Sequence, residues 1–200
     1  MSTVVVTQPV ARHTLDIGLA FKQAWRLFVK DIGPLIIGTI IALVLSVLTI
    51  GILAGPLTAG LYGMVAARVR DGKQAGVGDV FNEMGRFWSF LAAVLVLGIL
   101  IGLASLTIIG GILLATIWLY VFPLMVDRKM GLGEAMSESY RLVKQAGFWE
   151  HLALVIIAIV IGSVFNGFLA LLATPFMVVL VAAAYYLAAG RADEVERALA

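Results

Sequence analysis

The chain has 200 residues, of which 62% are hydrophobic and 13% are charged, with a net charge of +2 at pH 7 and no cysteine. Soluble domains have about 45–50% apolar and about 25% charged residues, so this composition does not suit a globule in water. It excludes an ordinary soluble enzyme, a disordered chain and a disulfide-stapled scaffold, and so small a charge does not favour nucleic-acid binding. It predicts an integral membrane protein.

The charged residues fall into four blocks, at 12–31, 68–86, 127–150 and 191–197. Three stretches without any charge lie between them, at 32–67, 87–126 and 151–190, and they contain 36, 40 and 40 residues. One helical crossing of a bilayer needs about 20 residues, so each stretch is long enough for two. We therefore expect three helical hairpins.

Residues that favour turns lie in the middle of each uncharged stretch, at Gly51–Pro56, at Ser105–Thr107 before Gly110 and Gly111, and at Asn166-Gly167. The predicted fold is all-α, a polytopic membrane bundle of six transmembrane helices. The predicted spans are 33–52, 55–69, 88–108, 111–126, 151–171 and 174–189.

Hairpins place every charge on one side of the membrane, including all 14 lysines and arginines. The positive-inside rule then assigns both termini and both long loops to the cytoplasm. Three long single spans would instead put the charged blocks on alternating sides. We predict a flexible N-terminal tail at 1–14, one membrane domain at 15–190, and a frayed cytoplasmic tail at 191–200.

A motif recurs three times before the uncharged stretches, with the pattern [IVL]-G-x-[AV]-[FM]-x4-R-[LF]. It predicts three parallel repeats at 15–70, 76–127 and 131–190, related by an axis along the membrane normal. The motif positions are Gly18, Phe21 and Arg26 in the first copy, Gly78, Phe81 and Arg86 in the second, and Gly133, Met136 and Arg141 in the third.

Each copy is predicted to begin with a cytoplasmic amphipathic helix. In the first, Phe21, Trp25 and Phe28 share one helical face, and Lys22 and Arg26 lie away from it. Such a helix lies in the headgroup layer or packs under the bundle as an elbow, and the two placements are compatible.

Small residues recur every four positions in the predicted spans, which favours close helix packing in lipid. The stripes are Gly38, Ala42 and Ser46; Ala59, Gly63 and Ala67; Gly98 and Gly102; and Ala158, Gly162 and Asn166.

The sequence contains no catalytic or metal-binding motif, and we predict no cofactor. The two histidines form no H-E-x-x-H pattern. Arg68, at the end of a span, is the one charged residue in the predicted spans, which argues against a proton pump, a proton-coupled exchanger and a voltage sensor. Asn166 is a candidate for a polar contact inside the membrane.

The segment from Ile109 to Lys144 has a proline near the end of a span, then an acidic and basic turn, then an amphipathic helix. It resembles YciC-like bacterial inner-membrane proteins and the membrane domain of some glycerophosphodiester phosphodiesterases. The resemblance implies six or so spans and a bacterial inner-membrane location, and it implies no reaction. Its turn residues here are Pro123, Asp127, Arg128, Lys129 and Gly131.

Two functions fit these observations, and membrane lipid is the expected partner of both. The first is a non-enzymatic membrane protein that organises lipid or partner membrane proteins. The second is a small permease or lipid-handling transporter with a neutral central cavity, and an intramembrane enzyme is a third, weaker interpretation. A transporter predicts that Asn166, Thr116 and Tyr120 converge on one solvated cavity, whereas a scaffold predicts that such residues are scattered and paired between helices.

Overall fold

The computed structural model describes residues 14–164 and 170–200, and every regular element in this part of the chain is helical. The all-α prediction is therefore confirmed for these residues, whereas Asn166 and most of the predicted N-terminal tail lie outside them. The elements are α1 Ile17–Lys30, α2 Ile32–Leu48, α3 Ala54–Asp71, a 3₁₀ helix Val77–Arg86, α4 Phe87–Ala104, α5 Ile108–Ile117, α6 Val121–Asp127, α7 Leu132–Gln145, α8 Phe148–Val164, α9 Ala170–Ala188 and α10 Ala192–Leu199.

The long apolar helices pack in chain order around a closed bundle. Helix α2 contacts α3, α3 contacts α4, α4 contacts α5, α5 contacts α8, and α8 contacts α9, which also contacts α2. Each uncharged stretch of the sequence is therefore folded into packed helices rather than one long rod: α2 with α3, α4 with α5 and α6, and α8 with α9. Helix α3 is the most central, because it also packs against the 3₁₀ helix, α6, α9 and α10.

Three helical segments are long and apolar enough to cross a membrane: the 3₁₀ helix with α4 (Val77–Ala104), α5 with α6 (Ile108–Asp127) and α9 (Ala170–Ala188). The count rises to five if each of two bent pairs is one span, namely α1 with α2 and α7 with α8. Helix α3 is not among these candidates, and its last four residues include two arginines and an aspartate. The described residues thus contain three to five candidate spans, which is compatible with a membrane protein.

The segments that begin the three predicted repeats differ in shape. Helices α1 and α2 meet at 88°, and helices α7 and α8 meet at 109°. At the second of these elbows Gly147 has a φ of +100°, which a glycine adopts without strain. In the second repeat the segment is instead a 3₁₀ helix that ends at Arg86 and leads directly into α4 at Phe87.

Helix α3 approaches its neighbours most closely at two glycines. A Cβ atom on Gly60 would lie 1.8 Å from the carbonyl oxygen of Val80, and one on Gly55 would lie 2.3 Å from that of Phe90. The predicted stripe of Ala59, Gly63 and Ala67 therefore misses both of these positions.

The small-residue prediction is wrong for the far ends of α4 and α8. A Cβ atom on Gly98, Gly102 or Gly162 would have no neighbouring atom within 4 Å. The reason is that burial decreases along these helices. The buried residues of α4 end at Leu97, and those of α8 end at Val155.

The prediction of a frayed C-terminal tail is also wrong. Residues Ala192–Leu199 form helix α10, which packs against α1, α3 and α9. Its Val195 and Leu199 are buried. In the sequence, two apolar residues four positions apart are typical of a helix with one buried face.

Candidate functional site: the charged turn between α6 and α7

The turn 127–131 follows a helix break set by Pro123. A proline has no N–H and its ring clashes with the carbonyl four residues earlier, so α5 does not continue into α6. Ser139 of α7 bridges this break, because its Oγ accepts a hydrogen bond from Tyr120 N at 3.1 Å and donates one to Ile117 O at 2.8 Å. The sequence did not predict this role for Ser139, although the helical pattern places a serine on the apolar side of α7.

Asp127 is the centre of the site, and its side chain is 4% exposed. Its carboxylate accepts hydrogen bonds from the hydroxyls of Tyr185 at 2.8 Å and Tyr186 at 3.1 Å, both on α9. Arg191 donates to Oδ2, and Nε of Arg70 lies 3.7 Å from Oδ1. A buried carboxylate is stable only when paired and hydrogen-bonded, and the three donors together with the charge of Arg70 meet that need.

Arg191 connects this centre to the start of α10. Its guanidinium donates two hydrogen bonds to Glu194, at 2.8 Å and 2.7 Å, and it lies 4.8 Å from the ring centroid of Tyr186. The hydrogen bonds to Glu194, with the nearby charge of Asp127, raise the pKa of Arg191 above its usual value. The guanidinium therefore stays charged, and it fixes α10 beside α9.

The remaining turn residues bind two further elements. Lys129 has a φ of +55°, and its Nζ donates to Oε1 of Glu83 on the 3₁₀ helix at 2.6 Å. Arg128 donates to Glu138 on α7 at 3.0 Å. Gly131, which has ordinary extended backbone angles, is the residue before α7. The turn is thus a junction that connects several helices by hydrogen bonds.

The three motif arginines lie in three different environments. Arg86 donates to the carbonyl oxygens of Met125 and Met130, the latter at 2.7 Å, and lies over the ring of Phe90. Arg26 instead forms an exposed ion pair with α10, and Arg141 forms one within α7.

The other motif positions are not equivalent either. Phe21 packs against Phe176 with ring centroids 6.1 Å apart, Met136 is partly buried, and Phe81 is 41% exposed. A Cβ atom on Gly78 or Gly133 would meet nothing within 4 Å, and one on Gly18 would meet only a carboxylate oxygen of Asp16 at 3.3 Å.

A second buried ion pair joins Asp31, at the α1–α2 elbow, to Arg68 of α3. The guanidinium donates to both carboxylate oxygens, with Nε 2.6 Å from Oδ2. A cavity of about 10 Å³ lies beside each charged centre, which is room for about one water molecule. The first is lined by Asp127 and the second by Asp31 and Arg68.

Three other polar residues of the apolar helices, Thr116, Tyr120 and His151, do not line these cavities. Thr116 donates to Ile112 O of its own helix at 2.8 Å. The rings of Tyr120 and His151 are buried against each other with centroids 5.3 Å apart, and His151 Nδ1 lies 2.5 Å from Gly147 O. Within 14–164 and 170–200 no group of three or more histidine and acidic side chains is arranged to hold a metal ion.

No protein-family model, curated protein or solved structure matches the chain.

Proposed function

We propose that this chain is a non-enzymatic integral protein of the bacterial inner membrane, which organises lipid or partner membrane proteins. The observation that carries the proposal is the separation of apolar and charged surface along the helices. The far ends of α2, α4, α5 and α8 expose large apolar side chains, whereas the charged centres lie at the other ends. The exposed apolar residues include Val44, Val47, Leu48, Ile99, Leu103, Ile108, Ile109, Ile159, Val160 and Val164.

The proposed topology has six spans in three parallel hairpins, with the charged ends in the cytoplasm. The spans are α2, α3, α4, α5 with α6, α8, and α9, and α1, the 3₁₀ helix and α7 are the cytoplasmic amphipathic segments. Three tryptophans beside the charged blocks support this placement, because Trp25, Trp88 and Trp149 are 60%, 78% and 75% exposed. Tryptophans are enriched where a helix meets the membrane–water interface. The YciC-like resemblance likewise implies six or so spans and a bacterial inner-membrane location.

The contacts of the polar residues favour a scaffold over a permease. Thr116 is bonded within its own helix, and Tyr120 packs its ring against His151 and Tyr185. Asp127, the most heavily hydrogen-bonded acid described above, holds α9 and α10 in place rather than facing a solvated path. Asp127 thus stabilises a helix junction, as expected of polar groups in a structural bundle, and Thr116 and Tyr120 do not converge with it on one cavity.

Topology is tested by introducing single cysteines, since the chain has none of its own. Ile52→Cys and Leu106→Cys are at hairpin tips where the native side chains are 52% and 85% exposed. We expect an impermeant thiol reagent to label them from outside intact cells. Lys73→Cys and Gly133→Cys, both at exposed positions, are the matched cytoplasmic controls, labelled only after permeabilisation. Labelling of Gly133→Cys from outside would contradict the proposed orientation.

Function is tested by isolating the protein with its surrounding membrane in polymer-bounded discs and identifying the contents by mass spectrometry. A scaffold is expected to enrich one lipid class or one membrane protein over the bulk membrane. A permease would instead show no enrichment and would increase solute or lipid flux across reconstituted vesicles.

A further inference from the structure

Helix α1 has one buried and one exposed side, and the exposed side combines positive charge with apolar surface. The buried side packs against α9. The exposed side carries Lys22, Trp25, Arg26 and Val29, which lie within about a third of the helix circumference. The buried residues are Ala20, Gln23, Ala24, Leu27 and Phe28.

The positive charge on this surface is only partly neutralised. Among the described residues, no acidic side chain lies within ion-pair distance of Lys22. Arg26 is paired with Glu196 of α10 at 3.3 Å, but both side chains are about half exposed, and an exposed pair of this kind is weak. The nearby acids are engaged elsewhere, because Asp16 caps α1 at Leu19 N and Asp31 is held by Arg68.

Apolar surface begins beside these cations and continues along α2. Trp25 packs one side against Phe176, at 6.2 Å between ring centroids, and remains 60% exposed. Val29 and Ile32 are 49% and 42% exposed at the elbow. Four exposed residues then share one face of α2, about 22 Å long at helical rise from Ile32. They are Ile37, Ile40, Val44 and Val47.

We infer that the α1–α2 elbow binds an anionic phospholipid. Lys22 and Arg26 contact the headgroup phosphate, Trp25 lies at the level of the interface, and an acyl chain lies along the exposed face of α2. A cationic surface joined to an apolar strip longer than one leaflet of about 15 Å fits a ligand that has a negative head and an attached hydrocarbon chain. The inference rests on the proposed membrane placement, and it names the lipid class that the charged end recruits.

The test uses Trp25 as a reporter in a full-length chain in which Trp88, Trp118 and Trp149 are replaced by Phe. The protein is reconstituted in phosphatidylcholine vesicles that contain a minor, equal fraction of brominated phosphatidylglycerol or brominated phosphatidylcholine. We expect the anionic brominated lipid to quench Trp25 more strongly. The preference should fall about fivefold for each of Lys22→Gln and Arg26→Gln, the factor that corresponds to about 1 kcal/mol per cation near an anionic surface.

Lys144→Gln is the matched control, because Lys144 is also an exposed lysine, on α7, and lies over the ring of Tyr140. It should leave the quenching of Trp25 unchanged, and Lys22→Arg should retain the preference. Equal quenching by the two brominated lipids would overturn the inference. So would loss of the preference on adding soluble glycerol phosphate, since that would show that the headgroup binds without the chain. The cysteine labelling above reports the membrane placement separately, so a failure of the lipid site is distinguishable from a failure of the topology.

Discussion

The contact of Gly60 on α3 with the 3₁₀ helix gives the sharpest test of the packing. Replacing Gly60 by alanine puts a methyl group 1.8 Å from the carbonyl oxygen of Val80, where an ordinary contact needs at least 3.4 Å. The obstacle is backbone, so α3 and the 3₁₀ helix must separate by about 1.6 Å. Leu57, Met64 and Val80 are fully buried, and a gap of that size removes much of the dispersion energy at such side chains. We expect a loss of about 3 kcal/mol in the free energy of unfolding, the upper end of the range for overpacking.

The assay is unfolding of the purified protein in mixed micelles by titration with a denaturing detergent. Gly98→Ala is the matched control, because the same methyl group there meets no atom within 4 Å. Alanine favours a helix over glycine by about 1 kcal/mol, so the control should be neutral or slightly stabilised. Equal unfolding midpoints for the two variants would refute the packing of the 3₁₀ helix against α3.

Three further changes test the charged end, each by the same unfolding assay. Asp127→Asn removes the charge that two tyrosines and two arginines surround, so we expect a loss of about 3 kcal/mol, whereas Asp193→Asn, in an exposed pair, should cost less than about 1 kcal/mol. Ser139→Ala leaves the break between α5 and α6 unbridged and should cost about 1–3 kcal/mol. The hydrogen bond from Arg141 lowers the pKa of Glu138. Its stabilising contribution is therefore complete above the ordinary glutamate pKa and is lost as the pH falls through the lowered value, and Glu138→Gln should remove this part of the acid dependence.

The uncharged stretches predicted the helices well because lipid makes charge costly and leaves its absence visible in the sequence. Among the described residues, the first and third stretches each contain two helices, and the second contains α4, α5 and α6, with the predicted turn at Ser105–Thr107 between α4 and α5. The break inside the fourth predicted span was harder to see. The break depends on Pro123 and on Ser139 of α7, which bonds to Ile117 O. Ser139 lies 22 residues further along the chain than Ile117, so the sequence around the break does not indicate this contact.

The small-residue stripes show the limit of local patterns. A glycine every four residues allows close approach but does not require it, because the partner must also reach that depth. Gly60 meets the 3₁₀ helix, whereas Gly98 and Gly102 lie beyond the last buried residue of α4. Likewise Asp127 was singled out for its place in a turn, but its tyrosine partners lie 58 and 59 residues further along the chain.

The symmetric repeat and the structure make different predictions for substitutions of the three motif arginines. If the three copies were equivalent, conservative replacement of any of them would have the same effect. In the structure Arg86 satisfies two backbone carbonyls through two nitrogens and lies over Phe90, a geometry that a lysine does not reproduce. Hydrogen bonds from a charged group contribute about 1.5–3 kcal/mol each, so Arg86→Lys should destabilise by about 2 kcal/mol. Arg141→Lys changes an exposed side chain within one helix, and the unfolding midpoint should not move. Equal shifts for Arg86→Lys and Arg141→Lys would favour the symmetric repeat over the contacts described for Arg86.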